Sequence, residues 1–220
     1  MAAATPFRPG DVVVVAHKVV SKAEGRVRRL DGIAPSEEAI TLASAQDKDA
    51  RVVQAVLDES VRLVRAARGV IVCETRHGFV CANAGVDASN AAEPGEVVLL
   101  PLDPDASARA LRARLPARPA VIVSDSFGRP WRVGQTDVAV GAAGVVPVDD
   151  WRGRTDSAGH ELRATAIAVA DSIAAAADLA RTKDSRQPAI LIRGLDRFVT
   201  ADDGPGALAL RRDAESDLFR

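Results

Sequence analysis

The sequence predicts an α+β (mixed α/β) protein, and three observations carry that reading. Short β-branched runs recur along the chain, at residues 11–16 (DVVVVA), 120–125 (AVIVSD) and 189–192 (AILI). Between them lie stretches whose apolar residues recur every three or four positions, the spacing of an amphipathic helix. No internal repeat, low-complexity tract or linker divides the 220 residues, so residues 1–220 read as a single domain, or as two intimately packed lobes.

The elements follow in order. The first strand comes after the turn signal Arg8-Pro9-Gly10 and leads into residues 19–26. A helix starts after Pro35, with Ser36 as N-cap and Glu37 and Glu38 suiting the positive end of the dipole. Val53, Val56, Leu57, Val61 and Val64 predict a second helix. Residues 70–73 (VIVC) and 79–82 (FVCA) read as a hairpin around Arg76, His77 and Gly78, and 96–100 (EVVLL) as a strand. A helix follows Asp105, with Arg109, Arg112 and Arg114 toward its end, where cations suit the dipole. Residues 138–145 (VAVGAAGV) are small and β-like. The clearest helix is predicted over 161–182, with Leu162, Ile167, Ile173 and Leu179 among many core alanines.

Composition narrows the function classes. Apolar residues make up 47% and charged residues 27%, which excludes a disordered tail, a collagen-like repeat and a disulfide miniprotein. The 29 basic and 30 acidic residues nearly cancel, aromatics are 3% and Tyr is absent, so nothing favours a nucleic-acid partner. No apolar stretch reaches the roughly 20 residues of a membrane helix; Asp171 and Asp178 interrupt the most Ala-rich one. No signal peptide is expected, and a cytoplasmic location is. Cys73 and Cys81 form no CxxC or zinc pattern and read as buried, reduced thiols.

Three polar segments stand out as candidate chemistry. Residues 83–90 (NAGVDASN) follow a strand; residues 125–132 (DSFGRPWR) sit at the carboxyl end of another, the usual binding edge of an open α/β sheet. Lys22, with Ser21, Glu24 and Arg26, follows the first strand. A hard divalent cation takes oxygen ligands, which Asp87, Asp125 and the Ser126 hydroxyl supply. Lys22, Arg129 and Arg132 would neutralise remaining phosphate charge, the layout of phosphoryl transfer. No Walker A, GxGxxG or HExxH motif is present. Taken singly, a strand-end aspartate reads more readily as a turn former, Lys22 as a solvated charge, and His77 and His160 as surface histidines. Asp156, Glu161 and Asp184 stay open between such roles and ligation.

At these residues the sequence resembles the coenzyme F420-0:L-glutamate ligases (F420-0:gamma-glutamyl ligases). Residues 20–26 (VSKAEGR) resemble the family's early motif, 83–90 its second, and 125–137 (DSFGRPWRVGQTD) its third, in the actinobacterial form. Residues 169–174 (VADSIA) and 192–195 (IRGL) also fit, and the match runs in order from about Gly10 to the end. The resemblance implies a fold of mixed sheets with flanking helices in an intertwined homodimer. It implies GTP-dependent activation of a carboxylate of the deazaflavin coenzyme F420-0 as an acyl phosphate. L-glutamate then displaces phosphate, and further additions are γ-linked. It implies Mn²⁺ or Mg²⁺, two ions, and K⁺. Carried over by motif, Asp87, Asp125 and Ser126 are metal ligands, Ser126 standing where Thr is more usual. Lys22, Asn90 and His17 take the nucleotide-binding positions, and Asp87, Asp125 and Arg129 the catalytic ones, with Arg132 and Asp184 as additional candidates.

Three departures accompany the resemblance. His17 stands where the family more often has a small hydroxyl residue. Residues 181–187 (RTKDSRQ) lack the glycine of the family's nucleotide loop. The chain starts at the equivalent of the family's second strand, without the Leu-Pro nucleotide-binding segment. The alternatives are a non-catalytic remnant or partner subunit, and a ligase for another carboxylate.

Overall fold

A computed structural model describes residues 6–89, 93–182, 184–213 and 215–217. The first half carries β1 (Val12–Ala16), α1 (His17–Ala23), β2 (Val27–Arg29), α2 (Glu37–Gln46), α3 (Ala50–Asp58), β3 (Ser60–Ala67), β4 (Val70–Thr75), β5 (Val80–Ala82) and β6 (Glu96–Val98). The second carries α4 (Pro104–Arg114), β7 (Ala120–Arg129), β8 (Arg132–Ala143), β9 (Val148–Asp150), β10 (Ala166–Ala168), α5 (Val169–Leu179) and β11 (Ala189–Ile192). The architecture is mixed α/β, as the strand and helix signals predict. The chain divides into two compact units. Unit 1 comprises Met1–Ala16, Pro104–Ser126 and Thr136–Arg220; unit 2 comprises His17–Asp103 and Phe127–Gln135.

Unit 1 is organised by a sheet of order β11-β1-β7-β8. β1 pairs in parallel with β7, from Val12 opposite Ala120 to Ala16 opposite Ser124, and antiparallel with β11. Val12, Val13, Val14 and Val15 are all buried, because a central strand covered on both faces needs a continuous apolar run rather than alternation. Val169, Ala170, Ile173, Ala174 and Ala177 of α5 join Val12, Val14, Ala120 and Ile122 in one core. The small alanines of α5 form this core.

Unit 2 packs α2 and α3 with the sheet β3-β4-β5. Ser36 caps α2 as its sequence position implies, its Oγ accepting from the Ala39 amide at 3.2 Å. Cys73 and Cys81 stand directly opposite each other on β4 and β5, both buried and neither in a disulfide. Burial pushes the Cys73 thiol up, against a smaller opposing contact from Ser60.

Three elements differ from the sequence reading. α3 ends at Asp58, and Val61 and Val64 lie on β3. The pairing of β3 with β4 shifts between Ser60 and Arg62 and again between Leu63 and Arg65. Such irregularities break period-two alternation and leave a three-residue spacing that mimics a helix. The Ala-rich segment is helical only over Val169–Leu179, because Ala166–Ala168 pairs with Val148–Asp150 instead. The strand read over 120–125 is longer: β7 runs on to Arg129 and β8 returns from Arg132. Pro130 and Trp131 make the turn, with Trp131 left-handed at φ 57°.

Arg112 also departs from expectation. It is 2% exposed and serves as an internal tie rather than a dipole partner. Its guanidinium donates to the carbonyls of Thr200 (2.7 Å) and Asp202 (2.8 Å) and to Asp203 Oδ1 (2.6 Å). A Cβ on Gly144, left-handed at φ +74°, would lie 2.3 Å from Arg112 Nε. Arg112→Met removes the donor of the Thr200 carbonyl and the main counter-charge of Asp203 and should cost about 3 kcal/mol of unfolding free energy, read from denaturant melts at unchanged slope.

Candidate active site

The candidate residues of unit 2 gather on α1 and on the loop after β5. On α1, His17 and Ser21 share the buried face, with His17 Nδ1 3.3 Å from Ser21 Oγ. Lys18 and Lys22 are likewise one turn apart; Lys22 is exposed. Lys18, which sequence reasoning passes over, is the residue that meets the second motif. Its Nζ lies 2.5 Å from Asp87 Oδ2 and donates to Ser89 Oγ at 2.9 Å. The Asp87 backbone is fixed by a bridge to Val98, and its Oδ1 accepts the Ser89 amide at 2.6 Å.

The chain reaches Asp87 through three successive left-handed residues, Asn83 (φ 52°), Ala84 (φ 51°) and Gly85 (φ 73°). Two of them are not glycine, so backbone strain is held immediately before the motif's acid. Gly85 is required twice over, since a Cβ there would lie 2.6 Å from Leu100 Cγ. Asn83 Oδ1 is buried without a hydrogen-bond partner among the described residues. Asn90 lies outside the described residues. Arg26, from the early motif, is committed to the fold: it pairs with buried Glu59 at 2.7 Å and donates to the Leu100 carbonyl at 2.9 Å.

The tip of the β7–β8 hairpin belongs to unit 2. Arg129 and Arg132 are exposed there, and Arg129 Nη2 donates to the Val133 carbonyl at 3.0 Å. Phe127 meets Phe79 edge-on, and Phe79 stacks on His77. His77 is thus no simple surface histidine: burial lowers its pKa, and its Nε2 lies 2.9 Å from the Pro101 carbonyl.

In unit 1, β7 presents Asp125 and Ser126. The Ser126 amide donates to Asp125 Oδ1 at 2.8 Å. The Ser126 hydroxyl donates to Asp137 Oδ1 at 2.7 Å, and the Ser124 hydroxyl to Asp137 Oδ2 at 2.8 Å. Arg181 binds the same Asp137 carboxylate and donates to Ser124 Oγ at 2.9 Å. Asp137 is 1% exposed. Neither Asp137 nor Arg181 was singled out in the sequence, although Asp137 closes the third motif. Asp184 is exposed and accepts from Thr182 Oγ1 at 2.6 Å, the bond that chiefly holds its carboxyl below the usual range. In the same glycine-free segment Arg186 takes the left-handed conformation, at φ 54°.

Asp87 in unit 2, and Asp125 and Ser126 in unit 1, each offer only oxygen donors, the chemistry that suits a hard divalent ion. Among the described residues no three His, Cys, Asp or Glu side chains cluster as a metal site. An ion of this class uses one or two carboxylates and completes its shell with water and phosphate.

The model of the F420-0:gamma-glutamyl ligase family matches residues 1–194. The chain belongs to that family. It is similar to the coenzyme F420:L-glutamate ligase of Methanothermobacter thermautotrophicus, 46% identical over 96% of this chain and 85% of the relative. The enzyme of the same name from Methanopyrus kandleri is 46% identical over 100% and 89%, and that from Methanocaldococcus jannaschii 41% over 98% and 86%. The three family motifs therefore fall on α1, on the strained loop before Asp87, and on the β7–β8 hairpin.

The Lys18–Asp87 contact has a pH signature. Burial raises the Asp87 pKa, but the Lys18 and Ser89 hydrogen bonds outweigh it and hold the carboxyl below its usual value. The pair therefore contributes stability above the unfolded aspartate value of about 3.9 and loses it as pH falls through the lower folded value. The partners are partly exposed, so Lys18→Met should cost roughly 0.5–1 kcal/mol at pH 7. The difference from wild type should shrink toward zero by about pH 2 in denaturant titrations.

Proposed function

We propose that this chain is a GTP-dependent ligase that joins L-glutamate to coenzyme F420-0 in F420 biosynthesis. The observation that carries this reading is the near end-to-end match to relatives named coenzyme F420:L-glutamate ligase. The local geometry supports it: the second motif holds Asp87 in a cluster with Lys18 and Ser89, and the third holds Ser126 in a cluster with Asp137 and Arg181.

The proposed reaction has two steps. A carboxylate oxygen of F420-0 attacks the γ-phosphorus of GTP; the bond to the β,γ-bridging oxygen breaks, and GDP leaves with that electron pair. The amine of L-glutamate then attacks the acyl carbon, the carbon–oxygen bond to phosphate breaks, and amide, inorganic phosphate and a proton result. A second glutamate joins by the same chemistry through its γ-linkage. Asp87, Asp125 and Ser126 would hold the divalent ions, Mn²⁺ or Mg²⁺, with K⁺ as monovalent partner. Such ions supply neutralisation of phosphate charge. Lys22, His17 and Asn90 are assigned to the nucleotide. Arg129, with Arg132 beside it, offsets phosphate charge, leaving the barrier to positioning and electrostatics. Asp184 is a further oxygen donor for the nucleotide–metal loop.

The chain incubated with F420-0, GTP, Mn²⁺ and L-glutamate should give products heavier by one and then two glutamyl residues in mass spectrometry. Asp87→Asn and Asp125→Asn should each lower kcat/KM by about 100-fold or more. Absence of product from folded wild-type chain, beside an active relative, overturns the reading.

A homodimer belongs to the same proposal. In unit 2, Trp131 is 83% and Val133 99% exposed, and Val61, Val70 and Val80 also face outward. Trp131 and Val133 stand two positions apart beside the β7–β8 turn, and a contiguous exposed apolar patch is where a second protein surface would seat. Light scattering should give twice the chain mass, and Val133→Asp should shift it toward the monomer.

A further inference from the structure

The ligase reading uses Ser126 as a cation ligand but leaves unexplained the buried carboxylate that holds it. Asp137 is almost wholly buried and accepts three donors: the Ser126 hydroxyl on Oδ1, the Ser124 hydroxyl on Oδ2, and the Arg181 guanidinium. A carboxylate this deep needs a counter-charge, which Arg181, itself 11% exposed, supplies. The arrangement does more than satisfy a charge. A serine hydroxyl has one proton and two lone pairs. Donating that proton to Asp137 fixes the rotor and directs the lone pairs of Ser126 Oγ away from the carboxylate. The Ser126 amide meanwhile holds Asp125 Oδ1, tying the neighbouring acid to the same residue. A rotor left free would spend part of its time presenting a proton, not a lone pair, to a cation.

We propose that Asp137, locked by Arg181, is a positioning residue that holds the Ser126 hydroxyl as a ready acceptor for a divalent cation. This rests on the assignment of Ser126 as a metal ligand in the ligase reading. Its weight lies in the coupling between two side chains eleven positions apart, on opposite arms of one hairpin. Outer hydrogen-bond partners of metal ligands commonly shift metal affinity by 10–100-fold.

The test is a double-mutant cycle in Mn²⁺ affinity, read with Mn²⁺ alone by electron paramagnetic resonance of the free ion. Wild type, Ser126→Ala, Asp137→Asn and the double variant are compared, with thermal unfolding of each. Ser126→Ala and Asp137→Asn should each weaken binding about tenfold. Asp137→Asn should change affinity less than twofold once Ser126 is Ala. Equal effects in both backgrounds, or no Mn²⁺ binding by wild type, overturn the proposal. Asp137→Asn leaves Arg181 without its counter-charge; if that variant unfolds, Asp137→Asn with Arg181→Gln removes both charges and is read in the same cycle. Ligation is assayed in parallel. A coupled cycle without ligation refutes the ligase reading and leaves the positioning role standing; ligation with an additive cycle does the reverse.

Discussion

The parallel pairing of β1 with β7 is the constraint on which the polar cluster of unit 1 depends. Its register sets Ala16 opposite Ser124, so one strand hands over to α1 at the next residue while the other passes on to Asp125 and Ser126. Parallel neighbours cannot be joined by a tight turn. The connection here contains all of His17–Asp103 and then α4. A slip of one residue would exchange Ser124 and Asp125 between the two faces of the sheet. The buried Ser124–Asp137 bond would go with it. Four like valines tolerate a slip; buried Asp11 just before them, tied to the Arg8 amide and to Arg193, is what fixes where the run begins.

Polar chemistry in unit 1 is held by buried ionic ties, which are an unusual way to gain stability. Replacing a buried pair by apolar residues is often neutral or stabilising, so such pairs are poor evidence of stabilisation as such. What Arg112 and Arg181 provide is geometry. Arg112 gathers the carbonyls of residues 200 and 202, the second of which also accepts the Thr200 hydroxyl, and holds this segment together at one guanidinium. Arg181 lets a carboxylate of β8 sit where two hydroxyls of β7 converge. Each uses the planar fork of guanidinium, which lysine does not reproduce.

Much of the scaffold was legible in the sequence because it follows simple periods. The valines of β1, the Ser36 cap and the cysteine-bearing hairpin each obey one local rule. The elements that were misread obey two. Val61 and Val64 sit on a strand whose register shifts, so neither period fits. Ala166–Ala168 has helical propensity that strand pairing overrides. The strand read over 120–125 runs on to Arg129, past the polar residues that end its apolar signal. The candidate site was legible only as motifs. Lys18, Asp137 and Arg181 look like ordinary surface charges until their partners are known. Those partners lie 69, 11 and 44 positions away, beyond any spacing rule a single sequence supplies.

The near-cancellation of charge takes on a different meaning in this light. A formal net charge of −1 suggests a bland electrostatic surface. Many of the pairs behind it are exposed neighbours such as Arg29–Asp31, Arg51–Asp49 and Arg152–Asp150, which contribute little to stability. The informative charges are the few with burial behind them. Asp87 is held by Lys18 on a strained loop, and Asp137 by Arg181 beside β7. In both places a cationic side chain already compensates a carboxylate before any ion or phosphate arrives. The two pairs differ in how firmly they are held. Lys18 and Asp87 are 23% and 38% exposed, so water competes for both partners, whereas Arg181 and Asp137 are 11% and 1% exposed and are bound to each other and to the β7 hydroxyls. Screening weakens the first tie and leaves the second, so Asp137 is the carboxylate whose geometry the fold fixes.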